Sequence, residues 1–149
     1  MLRRLKENKK KGFTLVELIV VLVILAILAA LLVPALTGYI DKAKRKSIVA
    51  ETRQVVMAAQ TLVDEEYGKV AVGADSIGIE GGTKPTSATT SITKANITAL
   101  AEVKGVIQDG CEVESGKVTK VIYKSQGKIC TYTKDKTDGS DGAYNVTDN

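Results

Sequence analysis

The sequence predicts an α+β protein in which one long N-terminal helix packs on a small antiparallel sheet. Three observations predict it. Leu18 to Leu36 is a run of 19 residues without one polar side chain. From Ile40 to Val63 apolar residues recur every three or four positions, the period of a helix with one covered face. Beyond Gly105, short segments rich in β-branched and aromatic residues are separated by Ser-Gly and Gln-Gly pairs, the pattern of strands joined by tight turns.

Size and composition set the frame. The 149 residues, 44% of them apolar, suffice for one modest globular domain. The net charge of +4 is misleading, because Arg3, Arg4, Lys6, Lys9, Lys10 and Lys11 against Glu7 place +5 before Phe13 and leave −1 for everything after. A short terminal block of cations without interleaved aromatics gives only weak support to nucleic-acid binding. With no histidine, there is no imidazole base, no Ser-His or Cys-His pair and no His metal ligand. Gly73, Gly78, Gly81 and Gly82 lack a following Gly-Lys-Ser/Thr and a helical pattern, so they read as turn residues rather than a phosphate loop. No catalytic residue and no cofactor is called for.

The apolar run comes first. No charge lies between Glu17 and Asp41, and a helix from Phe13 to Leu36 would be about 36 Å long, enough to cross a hydrocarbon core of roughly 30 Å. The preceding cations would stay cytoplasmic, leaving the C-terminal bulk outside. An ordinary secretory signal has a shorter apolar region and a small-x-small cleavage site. A plain single-span anchor does not account for Glu17 at the cytoplasmic end of the run, and a core helix would need a larger globule than the remaining chain supplies.

The amphipathic stretch continues the helix. Ile40, Ala43, Ser47, Ile48, Val55, Val56, Ala59, Leu62 and Val63 mark one face, and Asp41, Lys42, Lys44, Arg45, Lys46, Glu51 and Arg53 the other. The helix is expected to end near Tyr67-Gly68, about 80 Å from Phe13 if unbroken. Pro34 and Gly38 are the points of interruption, since proline removes an amide donor and glycine is a poor helix former. A bend and a functional hinge account for Pro34 equally well.

The remainder builds the head. Residues 67–93, rich in Gly, Ser and Thr, read as an irregular surface connection. Lys94 to Val103 reads as a short helix, with Thr93 as N-cap and Gly105 near its end. Cys111–Glu114, Val118–Tyr123 and Lys128–Thr133 read as a meander, with Ala143–Val146 as a further strand. Packed on Ile48, Val55, Ala59 and Leu62, they give one two-layer core. Cys111 and Cys130 fall on the first and third strands of that meander, roughly 10 Å apart at 4.7–4.9 Å per strand, which favours buried thiols over a disulfide. Asp135, Asp138, Asp141 and Asp148 invite a calcium hypothesis, but their spacing fits no calcium loop and Asp-Gly pairs are ordinary turn chemistry. Asn96-Ile97-Thr98 and Asn145-Val146-Thr147 match glycan sequons and carry little weight.

The string Lys11-Gly12-Phe13-Thr14-Leu15-Val16-Glu17, followed by the apolar run, resembles the class III signal of type IV prepilins and of their relatives the pseudopilins. The resemblance implies a basic leader, residues 1–12, removed by a prepilin peptidase between Gly12 and Phe13. Glycine suits an extended backbone entering a narrow cleft at the membrane face. It also implies N-methylation of Phe13, and it places the family's glutamate at the fifth mature position on Glu17 and its proline on Pro34. A small residue that often interrupts the family's helix earlier is Ala26 here. The implied organisation is a filament-core helix over 13–36 and a head over 37–149. The implied partners are other copies of the chain, the peptidase, the assembly platform and its ATPase, and the cytoplasmic membrane before extraction to the cell surface. The lysine-rich leader, the absence of tryptophan and the small head resemble pilins of Gram-positive bacteria. Within the family a pseudopilin of a secretion or competence system is the alternative, and outside it a single-span adhesion protein. Some pseudopilins bind calcium near the C-terminus and many pilins carry a disulfide in the head, so both features remain open by resemblance.

Overall fold

The computed structural model describes residues 12–70, 77–86, 88–139 and 141–149. The basic residues up to Lys11, and Gly73, lie outside the described residues. The chain divides into two compact units, the boundary falling between Ile40 and Asp41.

Helix α1 runs from Leu15 to Tyr67, close to the limits the periodicity predicts. Its first turn is closed by a capping box. The Glu17 amide donates to the Thr14 hydroxyl at 3.2 Å, and the Thr14 amide donates to the Glu17 carboxylate at 3.5 Å. Two otherwise orphaned donors are thereby satisfied. Pro34 and Gly38 do not end the helix, and the Thr37 hydroxyl donates to the Pro34 carbonyl at 2.8 Å. In the first unit every described residue from Gly12 to Ile40 is exposed.

In the second unit Ile48, Thr52, Val55, Ala59 and Val63 form a buried stripe, spaced three and four apart as one face of a helix requires. Ile40 and Ala43, expected on that face, are exposed. The stripe begins only at Ile48, because the contacts of α1 with the sheet at Asp41 and Arg45 are polar.

The sheet that covers the stripe has β5 (Lys117–Ser125) at its centre, paired antiparallel with β6 (Lys128–Thr133), which pairs with β7 (Tyr144–Asp148). Two short strands, β3 (Val106–Ile107) and β4 (Glu112–Glu114), also pair with β5. Lys120 is opposite both Glu112 and Thr133, so β4 lies on the edge of β5 away from β6. A register shift between Glu112 and Val113 places Thr119 as an extra residue on β5. Such a bulge resets the alternation, and Val118 and Val121, three apart, are both buried. Tyr123, Cys130, Ile107, Val113 and Val146 complete the sheet's apolar contribution. Burying each large apolar side chain contributes about 1.5–3 kcal/mol.

Residues 67–93 are not wholly irregular as expected. They contribute β1 (Ile77–Ile79) and β2 (Thr90–Ile92), paired parallel, and Ile77, Ile79 and Ile92 are buried in the same core. Gly78 is therefore a strand residue, whereas Gly81, at φ +69, does occupy a turn. Helix α2 (Lys94–Ala101) starts where predicted, with Thr93 accepting from the Asn96 amide. It stops on Glu102 in the left-handed conformation, not near Gly105. Gly105 is needed for another reason: a Cβ there would lie 2.3 Å from the Tyr123 hydroxyl.

Candidate assembly site

The residues singled out for processing and assembly all lie in the first unit. Gly12 and Phe13 precede α1, Phe13 is 79% exposed, and a Cβ on Gly12 would meet nothing within 4 Å. Glu17 stands in the first turn of α1. Its carboxylate reaches the Thr14 amide, not the Phe13 nitrogen, so the described chain does not bring Phe13 and Glu17 together as a pair. Thr14 was not singled out from the sequence, although Thr-x-x-Glu before an apolar run is the signal that would have found it. Pro34 lies inside α1 and is exposed like its neighbours.

The chemistry of this unit is set by what does not cover it. Leu18, Ile19, Val20, Val21 and Leu22 are each about half exposed or more, and as consecutive residues of a helix they point to all sides of it. Among the described residues α1 is the helix long and apolar enough to cross a membrane. Leaving one such side chain in water forgoes about 1.5–3 kcal/mol, and the whole run forgoes tens. The surface requires lipid or other apolar chains around it.

The second unit shows how the head is closed around its own half of the helix. Lys128, with a side chain only 6% exposed, donates to Asp41 and to Asp148, both at 2.5 Å. Arg45 donates to Asp41 at 3.0 Å and to the Val146 carbonyl at 3.1 Å, and lies 3.7 Å from Asp148. Hydrogen bonds from Lys128, then Arg45, hold the Asp41 carboxyl below its ordinary range. Those to Asp148, then Asp41, push Lys128 above its own. This clasp fastens the last strand to the start of the amphipathic helix. At the other end of the buried stripe, the Gln60 side chain donates to the Gly116 carbonyl and accepts from the Val118 amide, both at 2.9 Å. Between them Tyr123, fully buried, donates to Glu51 at 2.7 Å and accepts from the Gly105 amide at 2.8 Å. Burial, then the bond to Glu51, pushes its phenol up to about 12.

Cys111 and Cys130 are buried free thiols. They flank β5 from the β4 and β6 sides, and burial raises both above the ordinary thiol value, which keeps them unreactive. Among the described residues no three acidic or thiol side chains converge to hold a metal ion. Asp135 pairs with Lys134 and Asp138 with Lys136, while the Asp141 amide donates to the Tyr144 carbonyl in a turn.

Residues 8–33 match a family model described as the prokaryotic N-terminal methylation motif. Over 136 residues, 89% of this chain and 83% of the relative, the sequence is 31% identical to the type IV major alpha-pilin of Moraxella bovis. The chain belongs to the type IV pilin family. No solved structure matches it significantly. The long helix packed on a small antiparallel sheet is thus a pilin architecture, and the bare first half of the pilin helix is the part that the methylation motif covers. The type IV pilin family is a family of structural pilus subunits.

Proposed function

We propose that this pilin is the major subunit of a type IV pilus, made as a membrane-anchored precursor and polymerised through its apolar half-helix. The observation that carries the reading is the run from Leu18 to Leu36, exposed on every side. In the precursor lipid covers it; in the filament the same residues of neighbouring subunits do. A prepilin peptidase cuts between Gly12 and Phe13, and Phe13 is N-methylated. Residues 13–36 form the filament core and residues 37–149 the outer head. The platform protein and its ATPase extract each subunit from the cytoplasmic membrane to the cell surface.

Cleavage removes the leader cations and creates an amine that can pair with Glu17. A carboxylate at the start of an apolar stretch costs several kcal/mol unless paired, and the new amine of Phe13 is the nearest source of charge. When that amine comes from an incoming subunit, the pair sets an axial register that apolar packing alone does not specify. Pro34 lies toward the end of the core segment, where a missing amide donor weakens the helix locally.

Gly12→Asp tests the reading. The precursor should remain in the membrane with its leader attached, and filaments should disappear. Mass spectrometry of wild-type protein should show a chain beginning at N-methylated Phe13; a mature start near Ala30 would indicate an ordinary secretory signal. Electron microscopy with an antibody to the head should show long labelled fibres. Short stubs would assign a pseudopilin, and diffuse surface label a single-span anchor.

A further inference from the structure

The second half of α1 has a face that the head leaves bare. Lys46, Ala50, Arg53, Met57, Thr61 and Asp64 follow one another at spacings of three and four and are all exposed, Met57 at 70%. They therefore form one stripe along the helix, opposite the buried one. The stripe is electrically polar along its length. Its first part carries Lys46 and Arg53, with Lys42 and Lys44 beside them, and its last turns carry Asp64 and Glu65.

Two features set this apart from an ordinary solvated face. Acidic groups at a helix C-terminus oppose the helix dipole, and the last turn of α1 holds no basic residue to offset them. Among the described residues, Lys42, Lys44 and Lys46 have no ion pair within the chain, nor do Asp64 and Glu65. Asp64 accepts a neutral amide bond from Gln60 at 2.7 Å, and Arg53 lies over the Tyr144 ring at 5.1 Å. Opposite charges of one chain cannot meet, since Lys46 and Asp64 are about 27 Å apart along the helix at 1.5 Å per residue.

We propose that the acidic C-terminal end of this stripe docks on the basic N-terminal end of the same stripe in a second copy, parallel and displaced by about 27 Å along the helix axis, so that Lys46 of one copy meets Asp64 of the other. Lys42 and Glu65 support the contact from its flanks. The inference rests on the proposed filament, in which all subunits share one polarity. A contact between different parts of one surface is heterologous and propagates, where an antiparallel pairing of the same charges would close into a dimer. Charge complementarity thus sets a stagger in the head-bearing half of the helix.

Zero-length carbodiimide cross-linking of intact filaments, read by peptide mass spectrometry, tests the contact. The expected product joins Lys46, or Lys42, to Asp64 or Glu65, and at about 27 Å such a link is necessarily between copies. Met57→Cys tests the direction. The parallel stagger keeps the two introduced thiols apart and gives no disulfide dimer, while an antiparallel pair places them side by side and would overturn the proposal. Lys42→Glu with Lys46→Glu should lower filament yield at least tenfold, and adding Asp64→Lys and Glu65→Lys should restore it. Wild-type filaments that yield no such link, or reversed charges that leave the yield unchanged, would overturn the docking while the filament stands. Cells making no filaments at all would overturn both.

Discussion

In the first half of α1, from Leu15 to Ile40, every side chain is exposed; in the second, from Asp41 to Tyr67, seven are buried. Helical hydrogen bonding continues through both, so backbone conformation does not distinguish them. What differs is where the cover comes from. The second half carries charges on its outer side and a single apolar stripe that the sheet fills. The first half is apolar all round, and nothing in the described chain packs on it. A continuous helix can therefore hold two functional parts whose stability rests on different partners: its own head for one, lipid or other copies for the other.

The sharpest break in the comparison comes from Glu17→Leu. It removes the charged group of the assembly half and improves the fit to lipid, so insertion and the fold of the head should be unchanged. Filaments should nevertheless be absent, as counted by electron microscopy of surface-sheared material. Normal numbers of filaments built from this variant would show that the carboxylate serves only the Thr14 cap.

Val55→Asp should do the reverse. Val55 is completely buried against the sheet, and an unpaired carboxylate there should cost about 4 kcal/mol or more. The protein should reach the membrane yet show a protease-sensitive head. Smaller effects sharpen the same boundary. Tyr123→Phe removes the acceptor of the Gly105 amide and the donor to Glu51 Oε2 and should lower head stability by about 1–3 kcal/mol in denaturant unfolding.

The clasp sets a pH window for the head alone. Asp41, lowered from 3.8, contributes stability that is present above that value and lost as pH falls through its depressed folded value. Lys128, raised from 10.5, contributes stability present below that value and lost as pH rises further. Unfolding of the head should be nearly independent of pH between about 5 and 9 and should weaken on both sides. Lys128→Met should flatten the acid limb.

The sequence shows plainly whatever depends on local pattern. The apolar run, the amphipathic stripe apart from its start, which the pattern puts at Ile40 and the fold at Ile48, the end of α1 at Tyr67 and the Thr93 cap all follow from spacing and residue type. So do β5 and β6, long enough to alternate and separated by a Gln-Gly turn. The missed elements are short and paired at a distance. β1 and β2 have three residues each and pair in parallel, so no hairpin turn announces them, and only isolated isoleucines in a Gly, Ser and Thr background mark their burial. β3 has two residues. Lys128 reads only as the start of a strand; that it is buried follows from the return of β7 and Asp41 to one place. At the candidate site, Gly12, Phe13, Glu17 and Pro34 were legible by motif, while the hydrogen bonds of Thr14 with Glu17 became clear only in the folded turn.

The division itself is tested most directly by comparing a chain that begins at Thr37 with one that begins at Phe13, in detergent-free buffer by light scattering and circular dichroism. The shorter chain keeps the stripe, the sheet and the clasp and should be soluble, folded and monomeric. The longer chain should require detergent or assemble. If the shorter chain unfolds, or still partitions into membranes, the two halves of the helix are not independent in the way their burial indicates.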